Sequence, residues 1–214
     1  MKVGILGSGD VGKALAAGFA GHGHEVLVGT RDVAKLKEWH SANSRVRLGS
    51  FSESAAHGGL VVLAVKGLIA AEALRLASAS NLDGKILIDA TNPIADAPPH
   101  DGVLKYFTSL DDSVMERLQR EFPKTRFVKA FSSVGNACMV NPRFKAGKPT
   151  MFICGNDPAA KSTVAEILDQ FGWETADMGT AAAARAIEPL CMLWCIPGFL
   201  HNEWGHAFKL LRQD

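Results

Sequence analysis

The sequence predicts an α/β fold, a doubly wound and mostly parallel sheet with a helical C-terminal segment, on three observations. Short apolar runs rich in Val, Ile and Leu alternate with helical stretches along most of the chain, the pattern of successive βαβ units. The first run, Lys2–Leu6, leads straight into Gly7-Ser8-Gly9-Asp10-Val11-Gly12 and a helix. With 214 residues, 47% of them hydrophobic, the chain can bury a substantial core.

In chain order, strand Lys2–Leu6 is followed by helix Val11–Gly21, and the apolar run Glu25–Gly29 by helix Val33–Ser41, with Asp32 as its expected N-cap. Strand Val46–Gly49 precedes helix Ser52–His57, and strand Leu60–Val65 precedes helix Gly67–Ser78. Strand Lys85–Asp89 opens onto Thr91–Asp112, rich in Pro, Asp and Gly. That segment reads as a long loop, either a binding segment or a solvent-facing linker. Helix Ser113–Glu121, strands Arg126–Ala130 and Thr150–Cys154, helix Pro158–Phe171 and strand Glu174–Asp177 follow. A long helix is expected from about Thr180 to Leu211.

Strand, glycines and helix come in the order of a Rossmann-type dinucleotide site. Gly7 allows the tight turn, Gly9 lets backbone amides approach a pyrophosphate, and Gly12 lets the helix pack on the strand. Ser8, Gly9, Asp10 and Val11 would then line the phosphates at a helix N-terminus, where free N–H groups and the helix dipole favour an anion. An NAD-preferring site places Asp or Glu at the tip of the second strand, about 20 residues beyond the glycines. Here Thr30 and Arg31 occupy that tip, with Lys35 one turn later. A hydroxyl, a guanidinium and an ammonium suit the 2′-phosphate of NADP(H) through charge-assisted hydrogen bonds. The competing reading makes Asp32 the acid of an NAD site. Residues 1–138 are expected to form the NADP-binding Rossmann domain, and 139–214 a smaller C-terminal α/β segment.

Composition narrows the partners. The net charge of +1 with interspersed signs leaves no basic stripe, so neither nucleic acid nor an acidic membrane surface is expected. Met1-Lys2 enters a strand, so no leader is expected. The longest apolar run, Pro189–Leu200, is broken by Pro197-Gly198, so no membrane span is expected. Cys138, Cys154, Cys191 and Cys195 lack a C-x-x-C spacing and read as buried thiols in a cytoplasmic protein. His201, Glu203 and His206 do not share one helix face, so no metal site is expected.

Ligands of open α/β sheets bind beyond the carboxyl ends of the strands. The tips after the fourth, fifth and sixth strands carry Ala64-Val65-Lys66, then Asn92, then Ser132-Ser133-Val134-Gly135-Asn136-Ala137. The first strip would pass beneath the ribose and pyrophosphate, and the other two would flank the nicotinamide.

These residues carry a family resemblance. MKVGILGSGDVG, Val28–Asp32, Asp89–Pro93, Val128–Phe131 and Asp177–Glu188 together resemble the F420-dependent NADP oxidoreductase family. The chain is also similar to the cytosolic reductase domain of the six-transmembrane ferric reductases, with no membrane half expected here. The resemblance implies NADP(H) on the strand tips and, against its nicotinamide, a small-molecule electron acceptor such as coenzyme F420, FMN or FAD. It places the 2′-phosphate site on Thr30, Arg31 and Lys35, the pyrophosphate loop on Ser8–Val11, and the ribose and nicotinamide strips on Ala64–Lys66 and Val134–Ala137. The family commonly has Pro where this chain has Lys66.

The expected activity is therefore hydride transfer between NADPH and a flavin or deazaflavin. Such a transfer needs little acid–base help from the protein, and no catalytic residue is assigned. Reduction of an imine or carbonyl, the alternative chemistry, would need a proton donor. Lys66, Lys129 and Tyr106 are the candidates for it. A non-catalytic NADP(H)-sensing module is the third reading. The apolar stretch Leu190–Leu200 serves as core, as the contact face of a homodimer, or as a wall of the acceptor pocket. The acceptor is expected between the Ser132–Ala137 turn, Asn92-Pro93 and the C-terminal helix near Met192 and Pro197.

Overall fold

The computed structural model describes residues 1–213; Asp214, the end of the expected C-terminal segment, lies outside the described residues. Strands β1 (Lys2–Leu6), β2 (Glu25–Gly29), β3 (Arg47–Gly49), β4 (Leu60–Leu63), β5 (Ile86–Asp89) and β6 (Arg126–Lys129) form one parallel sheet in the order β3-β2-β1-β4-β5-β6. The chain thus winds to one edge, returns to the middle and winds to the other, so a crevice opens between β1 and β4. Leu6 lies beside Gly29 and Leu63, Leu63 beside Asp89, and Asp89 beside Lys129, which aligns the carboxyl ends along one rim.

Both faces of this sheet are covered, which is why its strands are apolar without alternation. Val3, Ile5, Val26, Val28, Val62 and Val128 share one core with α1 (Asp10–Gly21), whose Leu15, Ala16 and Phe19 are fully buried. Val61, Leu63, Leu87 and Phe127 point the other way, into a core shared with α3 (Phe51–His57), α4 (Ala70–Ala77) and α6 (Val114–Glu121). Each fully buried Val, Leu or Ile contributes about 1.5–3 kcal/mol relative to exposure. β7 (Thr150–Ile153) and β8 (Glu174–Asp177) form a parallel pair around α7 (Pro158–Gln170), and β7 meets the edge of β6 through an antiparallel bridge between Lys129 and Cys154.

The expected helix Val33–Ser41 is two pieces, a 3-10 turn Ala34–Leu36 and α2 (Lys37–Ala42). Asp32 does not cap a regular α-helix; its Oδ1 accepts the Ala34 N–H at 3.0 Å and closes a local turn. The helix expected over Gly67–Ser78 is likewise a 3-10 turn, Gly67–Ile69, followed by α4; Ser78, with φ +69°, then redirects the chain into α5 (Ala79–Leu82). The fourth strand stops at Leu63, because Ala64–Lys66 turn away from the sheet at its rim.

The loop Thr91–Asp112 is ordered as an irregular hairpin. Bridges join Ile94 to Tyr106 and His100 to Val103, and Asp101 and Gly102 turn the chain at φ +48° and +77°.

The largest departure is at the C-terminus, where α8 spans Ala184–His201 and does not reach Leu211. It runs through Pro197-Gly198, since a helical proline removes one donor without always ending the helix. By length and composition alone Ala181–His201 would suffice to cross a membrane, so the expected break is not there. Its Ile187, Glu188, Cys191, Trp194 and Cys195 are buried against the rest of the molecule. Asn202, left-handed at φ +56°, ends the helix with its N–H donating to Gly198 O at 3.0 Å. The chain then doubles back to β7, where Thr150 N–H donates to Phe208 O at 2.9 Å and Leu210 N–H to Thr150 Oγ1 at 3.0 Å.

Candidate functional site

A continuous groove runs along the carboxyl rim of the sheet as three connected hollows. The first is lined by Gly7, Ser8, Gly9, Thr30, Arg31, Lys35 and Ala64–Lys66. The second shares Gly9 and Ala64–Lys66 with it and continues past Asp10, Val11, Ala90 and Asn92. The third begins at those last four residues and ends against Val134–Ala137, Met139, Cys191, Trp194 and Trp204. Of the residues the sequence assigns to the cofactor, Gly12 alone lies off the groove, and it packs the helix: a Cβ there would sit 2.2 Å from Gly7 O.

The glycine loop has the properties an anion cradle requires. Gly7 adopts φ +123°, and a Cβ would meet Ala64 O at 2.2 Å, so nothing larger fits. Gly9 has an ordinary φ of −75° and open space around its Cβ direction, so the groove comes right up to the backbone there. Gly9 is also the N-cap of α1, and no side chain accepts from the first-turn amides. Those N–H groups are left to an external acceptor.

At the tip of β2, Thr30 Oγ1 lies 3.0 Å from Ser8 Oγ and accepts the Asp32 N–H at 3.2 Å, tying the second strand tip to the glycine loop. Asp32 Oδ2 is 3.6 Å from Lys35 Nζ, on the solvent side of the turn. Among the described residues Arg31 has no hydrogen-bond or ion-pair partner, and it lines the same hollow as Lys35. Two cations against one carboxylate leave this end of the groove positive.

The far end is apolar and aromatic, with two buried polar atoms left over. Asn92 donates its amide to Ser132 O at 2.8 Å, which leaves Asn92 Oδ1 without a partner; Ser132 Oγ is also buried and unpartnered. Buried orphans of this kind are costly unless a ligand or water completes them. A Cβ on Gly135 would come within 2.7 Å of the Trp194 ring, and one on Gly198 within 2.3 Å of the Trp204 ring. Both glycines thus let an indole close down on the backbone. Trp194 stacks on His206 with centroids 5.0 Å apart, donates its Nε1–H to His206 O at 2.8 Å, and lies 5.6 Å from Trp204.

A buried ionic cluster lies behind this end. Lys129 Nζ is 2.7 Å from Asp89 Oδ2, as an ion pair rather than an aligned hydrogen bond. The same ammonium lies 2.8 Å from Glu188 Oε1 and donates to Thr91 O at 2.9 Å. Glu188 also accepts the N–H groups of Val114 and Met115 at 3.0 and 3.1 Å, at the N-terminus of α6. Burial opposes the charge on Lys129, but Asp89 and Glu188 outweigh it and hold the ammonium above the usual lysine range.

Two of the three proton-donor candidates are thereby corrected. Lys129 is 0% exposed with its donors committed. Burial pushes the phenol of Tyr106 far above its usual range, and its O–H donates to Glu188 O at 2.9 Å. Lys66 alone faces the groove. The stretch of α8 that lines the aromatic end contributes Cys191 and Trp194, flanking Met192, whereas Pro197 lines the adjoining hollow with Trp204. Trp204 went unread because it sits in the tail after Asn202, which the periodicity assigned to the helix. The first half of the loop, Ile94–Asp96, also lines the groove. Among the described residues no three His, Cys, Asp or Glu side chains gather as metal ligands.

Residues 2–93 match the family model described as NADP oxidoreductase, coenzyme F420-dependent. A crystal structure from Arthrobacter sp. FB24, provisionally described as an F420-dependent NADP-reductase, is 35% identical, with a TM-score of 0.92 over 99% of this chain and 100% of that one. The F420-dependent NADP reductase of Methanothermobacter marburgensis is 29% identical over 207 residues, 90% of each chain. Metalloreductase STEAP3 of Rattus norvegicus is 34% identical over 205 residues, 93% of this chain and 39% of the relative. This chain thus spans about two fifths of that curated relative's length. With sequence and fold shared from end to end with the Arthrobacter protein, the chain belongs to the coenzyme F420-dependent NADP oxidoreductase family.

Proposed function

We propose that the groove holds NADPH lengthwise and that the protein delivers its hydride to a flavin or deazaflavin seated at the aromatic end. The continuity of the groove carries this reading: a cationic hollow at Arg31 and Lys35 leads over the open amides of α1 to a largely apolar pocket walled by Trp194. When bound, the cofactor supplies the hydride, and the protein's part is placement. Arg31 and Lys35 would pair with the 2′-phosphate. The Gly9–Val11 backbone would take the pyrophosphate, and Asn92 Oδ1 and Ser132 Oγ would find in a carboxamide the partners they lack. Cys191, Trp194 and Val134 would keep water from the transfer.

The experiment is NADPH and NADH oxidation screened against F420, FMN, FAD and riboflavin, with a cyclic imine for comparison. Flavin- or deazaflavin-dependent NADPH oxidation is expected; turnover of the imine alone would transfer the chain to imine reduction. Four free thiols suit a reducing cytoplasm. The exposed apolar residues Leu193, Phe199 and Leu200 of α8 would meet their counterparts in a second copy, and light scattering that returned a monomer would remove that contact.

A further inference from the structure

Charge is unevenly matched along the first two hollows of the groove. In the first, Arg31, Lys35 and Lys66 face the carboxylate of Asp32. In the second, Asp10 and Asp96 are both present, and among the described residues Lys66 is its one lining cation. Gly9, Ala64, Val65 and Lys66 line both hollows, so Lys66 stands at their junction together with the N-cap of α1. Asp10 lies in the first turn of that helix. The open amides there amount to about half a positive charge, whereas Asp10 brings a full negative one, and a pyrophosphate is itself a dianion. A phosphate site made of these amides and Asp10 alone is therefore short of positive charge. The Lys66 ammonium is exposed and, among the described residues, has no hydrogen-bond or ion-pair partner. Its backbone, at φ −61° and ψ 139°, is unstrained, so the fold makes no local demand for lysine at this position.

Resting on the reading of this groove as the cofactor's, we propose that Lys66 binds the pyrophosphate, its ammonium pairing with the phosphate oxygens opposite the amides of α1 and offsetting Asp10. An ammonium on a flexible stem is a point charge that can follow the phosphates. The 2′-phosphate already has Arg31 and Lys35 in the first hollow, whereas the second hollow offers the pyrophosphate no other cation, so the demand for charge assigns Lys66 to the pyrophosphate. A division of labour follows. Arg31 and Lys35 meet the group that distinguishes NADP(H) from NAD(H), and Lys66 holds the part that the two share, so it raises affinity for both without choosing between them. This gives the groove-facing lysine a duty other than proton donation.

Equilibrium titration with NADP⁺, NAD⁺ and adenosine 2′-monophosphate, which carries the 2′-phosphate but no pyrophosphate, separates the two phosphate sites. Lys66→Gln changes an exposed side chain and should fold as the wild type does, with an unchanged thermal midpoint. In that variant affinity for NADP⁺ and for NAD⁺ should fall by the same factor, about tenfold, while that for adenosine 2′-monophosphate stays at the wild-type value. The salt dependence of NAD⁺ binding should flatten as well. Lys66→Arg keeps the charge and should retain most of the affinity. Asp10→Asn in the Lys66→Gln background should recover part of the loss, because the uncompensated carboxylate is gone. Unchanged NADP⁺ and NAD⁺ affinities in Lys66→Gln overturn the proposal while leaving the cofactor reading in place. A loss confined to NADP⁺ and adenosine 2′-monophosphate also overturns it, since Lys66 would then belong with Arg31 at the 2′-phosphate. If the wild type binds none of the three, the cofactor reading itself fails and this assignment falls with it.

Discussion

Arg31 is the residue on which cofactor choice turns. It stands at the tip of β2, unpaired among the described residues, where an NAD site would offer a carboxylate. Arg31→Ala should remove a charged partner of the 2′-phosphate, costing about 1.5–3 kcal/mol, or about ten- to a hundredfold in NADPH affinity with NADH little changed. Titration of both cofactors checks this; equal affinities of the wild type for NADPH and NADH would end the assignment. Gly9→Val tests the neighbouring phosphate site. The position has an ordinary φ and free space around its Cβ direction, so the variant should fold with an unchanged thermal midpoint and yet lose NADPH binding. Undiminished binding would make the loop a plain turn. At this scale the sequence was informative: three glycines in a fixed spacing have three separate steric duties, and each is visible in the backbone. Asn92 and Ser132 were legible as polar residues at strand tips, but that each keeps an unpaired buried atom depends on distances no sequence pattern encodes.

Helix α8 is the element that walls the aromatic end of the groove, and the buried cluster of Lys129, Asp89 and Glu188 fixes it against β5, β6 and α6. Lys129→Met leaves two carboxylates facing each other without a counter-ion, and the loss should be about 3–5 kcal/mol. Chemical denaturation checks it, with Lys35→Met as the contrast. Lys35 pairs with Asp32 in solvent, where such a pair contributes only about 0–1 kcal/mol, so its midpoint should hardly move. Equal shifts in the two variants would mean that the cluster is not the anchor. The strands were read to within two residues, most plainly β1, β4 and β5, where burial on both faces leaves a continuous apolar run. The C-terminal helix was overextended by ten residues for a related reason. Apolar and aromatic residues continue through Trp204, Phe208 and Leu211, and helical periodicity does not distinguish them from a tail that doubles back. The usable signals were small, an Asn at 202, a residue type that tolerates the left-handed conformation it adopts, and Gly205 close behind it.

Across the whole molecule the groove is assembled from four stretches of chain, with residues 90–96 lining its middle. Its cationic and phosphate-facing end comes entirely from residues 7–69, within the span matched by the family model, whereas its aromatic end is built from residues 131–139 and 191–204. The β1/β4 reversal fixes the first part. The second depends on how α8 and the tail close over Gly135 and Gly198, which explains why the sequence located the cofactor end more sharply than the acceptor wall. This division predicts that the two ligands can be separated by mutation. Ala137 is exposed on the rim of the third hollow, on the turn that faces Trp194 and Trp204. Ala137→Trp places an indole in the space left for the acceptor without touching Arg31, Lys35 or the amides of α1. Turnover should fall by at least about a hundredfold, the effect expected when reacting atoms are held even 1 Å from their productive position. NADPH affinity should change by well under tenfold, or less than about 1.4 kcal/mol, because the contacts at the other end are intact. Steady-state kinetics and cofactor titration on the same preparation decide the matter. Full turnover in Ala137→Trp would place the acceptor outside the third hollow, and a parallel loss of NADPH binding would mean that the cofactor itself fills the aromatic end.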